Sequence, residues 1–180
     1  MLVDRARSQL LVVDVQERLL PAMAEPDQVS RGCALLMTAA ARLDIPITVS
    51  EQYPKGLGPT VPALAELVPE NRVLAKLDFS CAADPAIRDR LETEGRPQIV
   101  VAGIEAHVCV LMTAMQLVEA GHEVFVVADA VSSRRQGSAD LALDRLSAAG
   151  VSAVNAEMVL FEWLRRAGTE EFKEISKLIK

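Results

Sequence analysis

Six short runs of mostly Val, Ile, Leu and Ala constrain the fold of this chain more than any other feature of its sequence. The runs are continuously apolar instead of alternating with polar residues, which is typical of strands covered on both faces in a parallel sheet. They are SQLLVVDV, IPITVS, NRVLAK, PQIVVAGI, EVFVVADA and VSAVNA. These runs therefore predict a six-stranded, mostly parallel sheet.

Amphipathic stretches alternate with the apolar runs, and several of them end in Gly, a common helix stop. They are DQVSRGCALLMTAAARLD, TVPALAELV, DPAIRDRLETEG, AHVCVLMTAMQLVEAG and GSADLALDRLSAAG. This alternation predicts an α/β, doubly wound, Rossmann-like fold with helices on both faces of the sheet. Because 180 residues suffice for one sizeable core but hardly for two, we expect one domain over residues 1–180. The closing stretch EEFKEISKLIK predicts an amphipathic helix on the surface of the same subunit.

Charge and composition exclude several classes of function. The formal net charge is -6 and no stretch concentrates Lys or Arg, so a nucleic acid partner is not expected. No apolar segment reaches membrane-spanning length and the N-terminus lacks a small-residue cleavage site, so we expect a cytoplasmic protein with no membrane partner. The three cysteines, Cys33, Cys81 and Cys109, form no CxxC pair, which favours reduced thiols over disulfides.

Functional groups of doubly wound sheets collect at the carboxyl ends of the strands. Asp14 follows LLVV, Glu51 follows ITVS, Lys76 follows RVLA and Asp129 follows FVVA, while Cys109 lies in the turn after VVAGI. The pattern therefore predicts a cluster of charged groups and one thiol at a single edge of the sheet. We expect Asp129 to cap a turn instead of taking part in chemistry.

The position of Cys109 favours a nucleophile over a packing residue, although buried packing cysteines are common. We place Cys109 in the first turn of a helix, where unpaired N–H groups and the helix dipole are expected to lower the pKa of its thiol. The resulting thiolate attacks carbonyl carbon, and the same N–H groups can hold the oxyanion. His107 is two residues away and faces elsewhere on a helix, and His122 lies in a helix-to-strand turn, so neither forms a Cys–His dyad with it.

Asp14 and Lys76 are then the candidate base and cation for this thiol. A carboxylate beside a thiol can accept its proton, and an ammonium group can stabilise the anions that result. A helix cap remains the alternative role for Asp14, and a salt bridge remains the alternative for Lys76.

Three stretches resemble the signature blocks of the isochorismatase-like cysteine hydrolases: LLVVDVQERLLP, VLAKLDFS and VVAGIEAHVCVLMTAMQLVEAGHEVFVVADAVSSR. The resemblance implies Asp14 as general base, Lys76 as its charged partner and Cys109 as nucleophile. It also implies a cis peptide bond between Ile104 and Glu105, with the backbone N–H groups of Glu105 and Cys109 as the oxyanion hole. SEQYPKGLGPTVPAL and FKEISKLIK are similar to the isochorismatase domain-containing proteins, and family members commonly form dimers or larger rings, which implies a homo-oligomer.

The sequence departs from the nicotinamidases of this family, which bind a divalent metal through an Asp and histidines between the first two blocks. No histidine precedes His107, so we expect no metal and no other cofactor. Asp44 and Glu51 lie nearby, but isolated carboxylates are weak ligands for a transition metal. Isochorismatases proper act on an enol ether and do not need a thiol, so Cys109 favours acyl transfer from an amide.

Three further residues are candidates for binding the substrate. The loop EQYPKGLGPT is too interrupted by Pro and Gly to predict a helix, and we expect it to lie over the crevice. Tyr53 and Phe79 are expected to line the pocket, with core packing as their alternative. Gln16 is expected to hydrogen-bond near the base or simply to start a helix.

The sequence thus predicts a metal-independent cysteine hydrolase that acts on a small amide or related carbonyl substrate through a thioester. The alternative is a catalytically idle scaffold that binds a protein partner. A redox-sensing thiol is a third possibility, and it requires a resolving cysteine near Cys109.

Overall fold

The computed structural model describes residues 1–179, and its centre is one sheet of six parallel strands in the order β3-β2-β1-β4-β5-β6. The predicted α/β doubly wound fold is confirmed. The strands are β1 Ser8–Val13, β2 Ile47–Gln52, β3 Val73–Lys76, β4 Gln98–Ile104, β5 Glu123–Ser132 and β6 Ser152–Val154.

Helices connect the strands, as crossover connections between parallel strands require. The α-helices are α1 Pro26–Arg42, α2 Pro54–Leu57, α3 Pro62–Ala65, α4 Pro85–Thr93, α5 Leu111–Glu119, α6 Gln136–Ala148, α7 Ala156–Leu164 and α8 Glu170–Ile175. Short 3-10 turns cover Leu20–Ala22 and Glu70–Arg72, and a π-helical turn covers Ala106–Val110 directly before α5.

Two hydrophobic cores cover the two faces of the sheet. One core packs α1, α3 and α7 against the first face, and the other packs α4, α5 and α6 against the second. β1 and β4 contribute side chains to both cores, which explains why their sequences are continuously apolar. The winding direction reverses between β1 and β4, so the crevice at a topological switch point opens at their carboxyl ends.

The helix α7 is absent from the sequence prediction, and the structure shows why the pattern was hard to interpret. Its residues AEMVLFEWL are apolar on most sides, so no clear amphipathic period appears. Two side chains define its start: Asn155 accepts a hydrogen bond from Met158 N at 2.7 Å, and Asp129 accepts one from Ala156 N at 2.8 Å. The predicted capping role of Asp129 agrees with this contact.

Two other predictions about local structure need correction. The loop that was expected to contain no helix includes the single turn α2, where Pro54 occupies the first helical position and supplies the φ angle a helix needs. Cys109 lies in the π-helical turn before α5 instead of the first turn of an α-helix, because Val110 N donates to Glu105 O at 3.3 Å, five residues back.

The closing helix α8 packs on its own subunit, as the sequence predicted. Ile175 is buried, the ring of Phe172 lies 6.4 Å from that of Phe161, and Glu174 pairs with Arg42. Within residues 1–179, the helices are all too short or too polar to cross a bilayer.

Candidate active site

The carboxyl ends of three strands bring Asp14, Lys76 and Cys109 together. Asp14 follows β1, Lys76 ends β3, and Cys109 lies in the π-helical turn after β4. Asp14 has a left-handed backbone (φ 56°), and Gln16 N donates to its carbonyl at 2.8 Å, so the chain turns sharply where the strand ends. The side chains of Asp14 and Lys76 are completely buried, and Cys109 is only 3% exposed.

One glycine allows the strands to meet at this point. Gly103 of β4 pairs with Val13 of β1, directly before Asp14, and has a φ of 125°. A Cβ atom at position 103 would lie 2.2 Å from the carbonyl oxygen of Val13 and 2.5 Å from its nitrogen. Only glycine therefore permits β4 to approach β1 closely enough to bring the Cys109 turn beside Asp14.

The ammonium group of Lys76 has three hydrogen-bond acceptors, one for each proton. Its Nζ atom lies 2.8 Å from Asp14 Oδ2, 2.6 Å from Gln52 Oε1 and 3.1 Å from the carbonyl oxygen of Phe79. Burial is the largest single influence and lowers the pKa of Lys76, but the surrounding groups, with the charge of Asp14 first among them, together outweigh it and hold the pKa above its ordinary value. Lys76 is therefore charged and immobile, and it has no proton left to donate to a substrate.

The second oxygen of Asp14 is also occupied. Ser50 Oγ donates to Asp14 Oδ1 at 2.7 Å, and Cys81 Sγ lies 3.4 Å from Ser50 Oγ. Cys81 is held in turn by its backbone N–H, which donates to Thr113 Oγ1 at 2.9 Å. Burial, followed by the charge of Asp14, raises the pKa of the Cys81 thiol to about 11.

The pKa of Cys109 is raised, so the predicted lowering by a helix N-terminus is wrong. Burial is the largest cause, and the charge and hydrogen bond of Asp14 raise the pKa further, while Lys76 opposes them. Helix-end effects amount to about 1 kcal/mol, and desolvation together with an adjacent carboxylate outweighs them. At rest and neutral pH the thiol of Cys109 is therefore neutral.

The expected cis peptide bond between Ile104 and Glu105 is also wrong, because residues 1–179 contain only trans bonds. Glu105 instead has a left-handed backbone (φ 56°, ψ 58°), which reverses the chain between β4 and the π-helical turn. Within the described part of the chain, the Glu105 N–H donates to no protein acceptor. That amide is available at the turn that carries Cys109.

The side chain of Glu105 is buried under this turn. Arg134 Nε lies 2.7 Å from Glu105 Oε1, and His107 Nδ1 lies 3.3 Å from Oε2. His107 Nδ1 is closer to Ser133 Oγ, at 2.9 Å, and Oε2 accepts no hydrogen bond. Arg134 therefore provides the main neutralising contact of this buried carboxylate.

The structure does not bring all predicted substrate-binding residues to the thiol. Gln16 is buried and its amide is saturated: Nε2 donates to Gln52 O at 3.0 Å and to Gly58 O at 2.7 Å, and Oε1 accepts from Gln52 N at 2.8 Å. Gln16 thus holds the loop after β2 and is not free to bind a substrate. Tyr53 and Phe79 are 51% and 55% exposed, so neither is a core residue.

Tyr53 does line a cavity of about 510 Å³, but this cavity meets the three clustered residues only at Lys76, whose side chain is buried. It does not include Cys109 or Phe79. Its lining residues are Tyr53, Pro54, Lys55, Ala75, Lys76, Leu77, Asp78 and Asp84.

Sequence reasoning missed Ser50 and Gln52, which contact the charged pair directly, and it missed the contact of Cys81 with Ser50. The two-residue period of a strand could have identified Ser50 and Gln52, because it places both on the face opposite Glu51. Glu51, the residue that the sequence singled out, accepts hydrogen bonds from Thr60 N at 2.6 Å and Thr60 Oγ1 at 2.8 Å instead. Within residues 1–179, no group of three or more His, Cys, Asp or Glu side chains is placed to hold a metal.

Curated relatives cover nearly the whole chain. Isochorismatase domain-containing protein 2 of Danio rerio is 42% identical over 175 residues, which are 96% of this chain and 86% of the relative. The secreted isochorismatase effector Isc1 of Phytophthora sojae is 37% identical over 178 residues, covering 96% of this chain and 84% of that protein.

Solved structures share the fold over the same length. MAR1 ribonuclease of Caenorhabditis elegans has a TM-score of 0.93 and 37% identity, covering 99% of this chain and 92% of the other. YcaC of Pseudomonas aeruginosa, with hexane-2,5-diol and covalent acrylamide, has a TM-score of 0.92 and 27% identity. The match covers 98% of this chain and 91% of that protein. The YcaC gene product of Escherichia coli, an octameric hydrolase of unknown specificity, has a TM-score of 0.93 and 25% identity. The match covers 99% of this chain and 90% of that protein.

Residues 8–158 match the family described as the isochorismatase domain. This match agrees with the relatives, with the shared fold and with the resemblance of the three sequence blocks. The chain therefore belongs to the isochorismatase-like hydrolase family.

Proposed function

We propose that the protein is a metal-independent cysteine hydrolase that cleaves a small amide or related carbonyl substrate through a thioester on Cys109. The observation that carries this proposal is the completely buried ion pair between Asp14 and Lys76, beside a nearly buried thiol. Burying two charges is unfavourable, and apolar residues of similar volume are often as stable or more so. Packing alone therefore gives no reason to place these three groups together.

In the first half of the proposed reaction, the sulfur of Cys109 attacks the carbonyl carbon while its proton passes to Asp14. The N–H groups of Glu105 and Cys109 hold the oxyanion. When the intermediate collapses, the C–N bond breaks and the leaving amine takes the proton from Asp14. The products of this half are a thioester and a free amine.

In the second half, Asp14 accepts a proton from water as the water oxygen adds to the thioester carbon. The C–S bond then breaks, and the proton returns from Asp14 to the departing sulfur. The enzyme is restored and a carboxylic acid leaves, so the net reaction is hydrolysis of one amide by one water.

Lys76 acts electrostatically in this scheme. As the proton moves to Asp14, negative charge moves to sulfur, and the fixed ammonium group of Lys76 stabilises it. Because the resting thiol of Cys109 is neutral, proton transfer accompanies the attack instead of preceding it.

Two of the similar structures bear on the substrate class. The Pseudomonas aeruginosa protein carries covalent acrylamide, a small electrophile with an amide group, which supports nucleophilic chemistry in this fold. The Caenorhabditis elegans protein is a ribonuclease by name, but the net charge of -6 on the present chain favours a small molecule over RNA.

The proposal extends to assembly and location. The octameric state of the Escherichia coli protein supports a homo-oligomer, and exposed Leu77 and Phe79 near the end of β3 suit a contact between copies. One relative is named as secreted, but the free thiols of Cys33, Cys81 and Cys109 favour the reducing cytoplasm for this chain.

An idle scaffold that binds a protein partner is the second candidate, and the 3% exposure of Cys109 favours it. Hydrolysis distinguishes the two. We would incubate the wild-type protein, Cys109→Ala and Cys33→Ala with a panel of small amides and activated esters, and with RNA in a separate arm. Cys33 is a suitable control because it is buried in the opposite core.

The cysteine hydrolase predicts amide or ester hydrolysis by wild type and Cys33→Ala, its loss in Cys109→Ala, and an acyl adduct on Cys109 in the mass spectrum. Hydrolysis that persists in Cys109→Ala, or that is absent in every protein, contradicts the proposal. Cleavage of RNA alone also contradicts it.

A further inference from the structure

The hydrogen bonds of Asp14 extend beyond the proposed catalytic groups, to Ser50 on β2 and to Cys81 after β3. Ser50 and Cys81 are completely buried. Ser50 Oγ lies 2.7 Å from Asp14 Oδ1, and Cys81 Sγ lies 3.4 Å from Ser50 Oγ. A buried hydroxyl and a buried thiol thus extend the hydrogen bonds of the carboxylate beyond its ion pair with Lys76.

The hydrogen bonds among Cys81, Ser50 and Asp14 all point in one direction. An ionised carboxylate only accepts, so the single proton of Ser50 points to Asp14, and the Ser50 oxygen is left to accept from Cys81. Cys81 keeps its proton at neutral pH because burial raises the pKa of its thiol. The direction therefore runs from Cys81 through Ser50 to Asp14.

Each of these three hydrogen-bonded residues is also fixed in place. Asp14 N donates to Ser50 O at 3.0 Å, so the two residues are joined by backbone as well as by side chain. Cys81 N donates to Thr113 Oγ1 at 2.9 Å, and Thr113 lies on α5, the helix that follows Cys109. The same hydrogen bonds connect the position of the base with the helix that directly follows the turn of the nucleophile.

With Lys76 on Oδ2 and Ser50 on Oδ1, the carboxylate of Asp14 has two donors in fixed directions and cannot rotate freely. We propose that Cys81 and Ser50 are positioning residues, forming a relay that orients the carboxylate of Asp14 toward Cys109. This inference rests on the proposed function, because it assigns the relay to the base of that reaction. Chains of hydrogen bonds polarise one another, so Cys81 strengthens the donation by Ser50.

The first test is kinetic and compares Ser50→Ala with Thr48→Val. Thr48 is buried on the same strand, two residues before Ser50, and it makes no side-chain hydrogen bond in the described part of the chain. Losing a donor to a carboxylate favours its protonated form, so Ser50→Ala should move the acid limb of the kcat/KM profile upward by about one pH unit. We expect kcat to fall about 10-fold with little change in KM, because substrate does not touch Ser50.

Variants of Cys81 test the outer half of the relay. Cys81→Ala removes the donor to Ser50 and should move the acid limb in the same direction by a smaller amount. Cys81→Ser keeps a donor and should restore the wild-type profile. Equal profiles for Cys81→Ala and wild type would remove Cys81 from the relay, and equal profiles for Ser50→Ala and Thr48→Val would overturn the proposal entirely.

A titration that needs no substrate separates this inference from the proposed function. The protein is labelled with 13C at aspartate carboxyls, and the Asp14 signal is assigned from its loss in Asp14→Asn. The relay predicts that Asp14 protonates at higher pH in Ser50→Ala than in Thr48→Val. If no protein hydrolyses any amide, the proposed function fails while the titration still decides the relay. An Asp14 signal that responds to pH identically in both variants overturns the relay.

Discussion

The carboxylate of Asp14 has two opposite effects on Cys109, and Asp14→Asn separates them. In the proposed reaction Asp14 is the base that accepts the thiol proton. At rest, however, its charge and hydrogen bond raise the pKa of the thiol, and only Lys76 lowers it. Replacing the carboxylate with an amide removes two of the effects that raise the pKa and frees Lys76 to pair with the thiolate.

The variant should therefore have a more acidic Cys109 thiol but no hydrolase activity. An adjacent charge shifts a pKa by about 1–3 units, so the thiolate fraction at neutral pH should rise about 10- to 1,000-fold. Nucleophilicity falls as the pKa falls, with a Brønsted coefficient of about 0.4–0.5, so alkylation of Cys109 should accelerate roughly 3- to 60-fold. Hydrolysis should be lost because no base remains.

The assay is the rate of iodoacetamide modification of Cys109 between pH 6 and 10, measured by peptide mass spectrometry, with buried Cys33 as internal control. In the wild-type protein the raised pKa keeps the thiol protonated at neutral pH, so its rate should still be rising at pH 9. Thermal unfolding checks that Asp14→Asn remains folded. Alkylation that is unchanged or slower in the folded variant would refute the electrostatic reasoning.

Two further predictions concern the surroundings of Cys109. Gly103→Ala should lower the free energy of unfolding by about 3 kcal/mol or more, because its Cβ would lie 2.2 Å from a β1 carbonyl oxygen. Gly121→Ala, which has a positive φ but no neighbour within 4 Å, should lower it by about 1 kcal/mol, and equal losses in denaturant titrations would contradict the steric explanation. Arg134→Met removes the main partner of buried Glu105 and should lower the free energy of unfolding by about 1–3 kcal/mol. Arg135→Met, at an exposed position, should change the free energy of unfolding by less than about 0.5 kcal/mol. Similar urea midpoints for the two arginine variants would count against a structural role for the Glu105 contact.

The architecture could be predicted from the sequence because its signals are local. Continuous apolar runs indicate strands covered on both faces, and the residue after each run must lie at the carboxyl edge of a parallel sheet. This reasoning, together with the three blocks, placed Asp14, Lys76 and Cys109 at one edge, and the structure brings them together. It failed for α7, whose apolar residues show no clear period.

The details of the site could not be predicted in the same way. Gln16 and Gln52 both lie near the ends of strands, yet one holds a loop and the other contacts Lys76. Glu51 is charged and conspicuous in the sequence, while its neighbour Ser50 contacts Asp14. These assignments depend on which atoms lie within about 3 Å of each other across strands that are distant in the chain.

The sequence by itself determined the succession of the six strands along the chain, most of the helices between them and the types of side chain at the strand ends, because hydrophobic period and position along the chain suffice for these. Only the tertiary structure decided how Asp14 is held and in which direction the pKa of Cys109 is shifted. Proton affinity depends on burial and on the distances to neighbouring charges, and both arise only when the strands and helices have packed together.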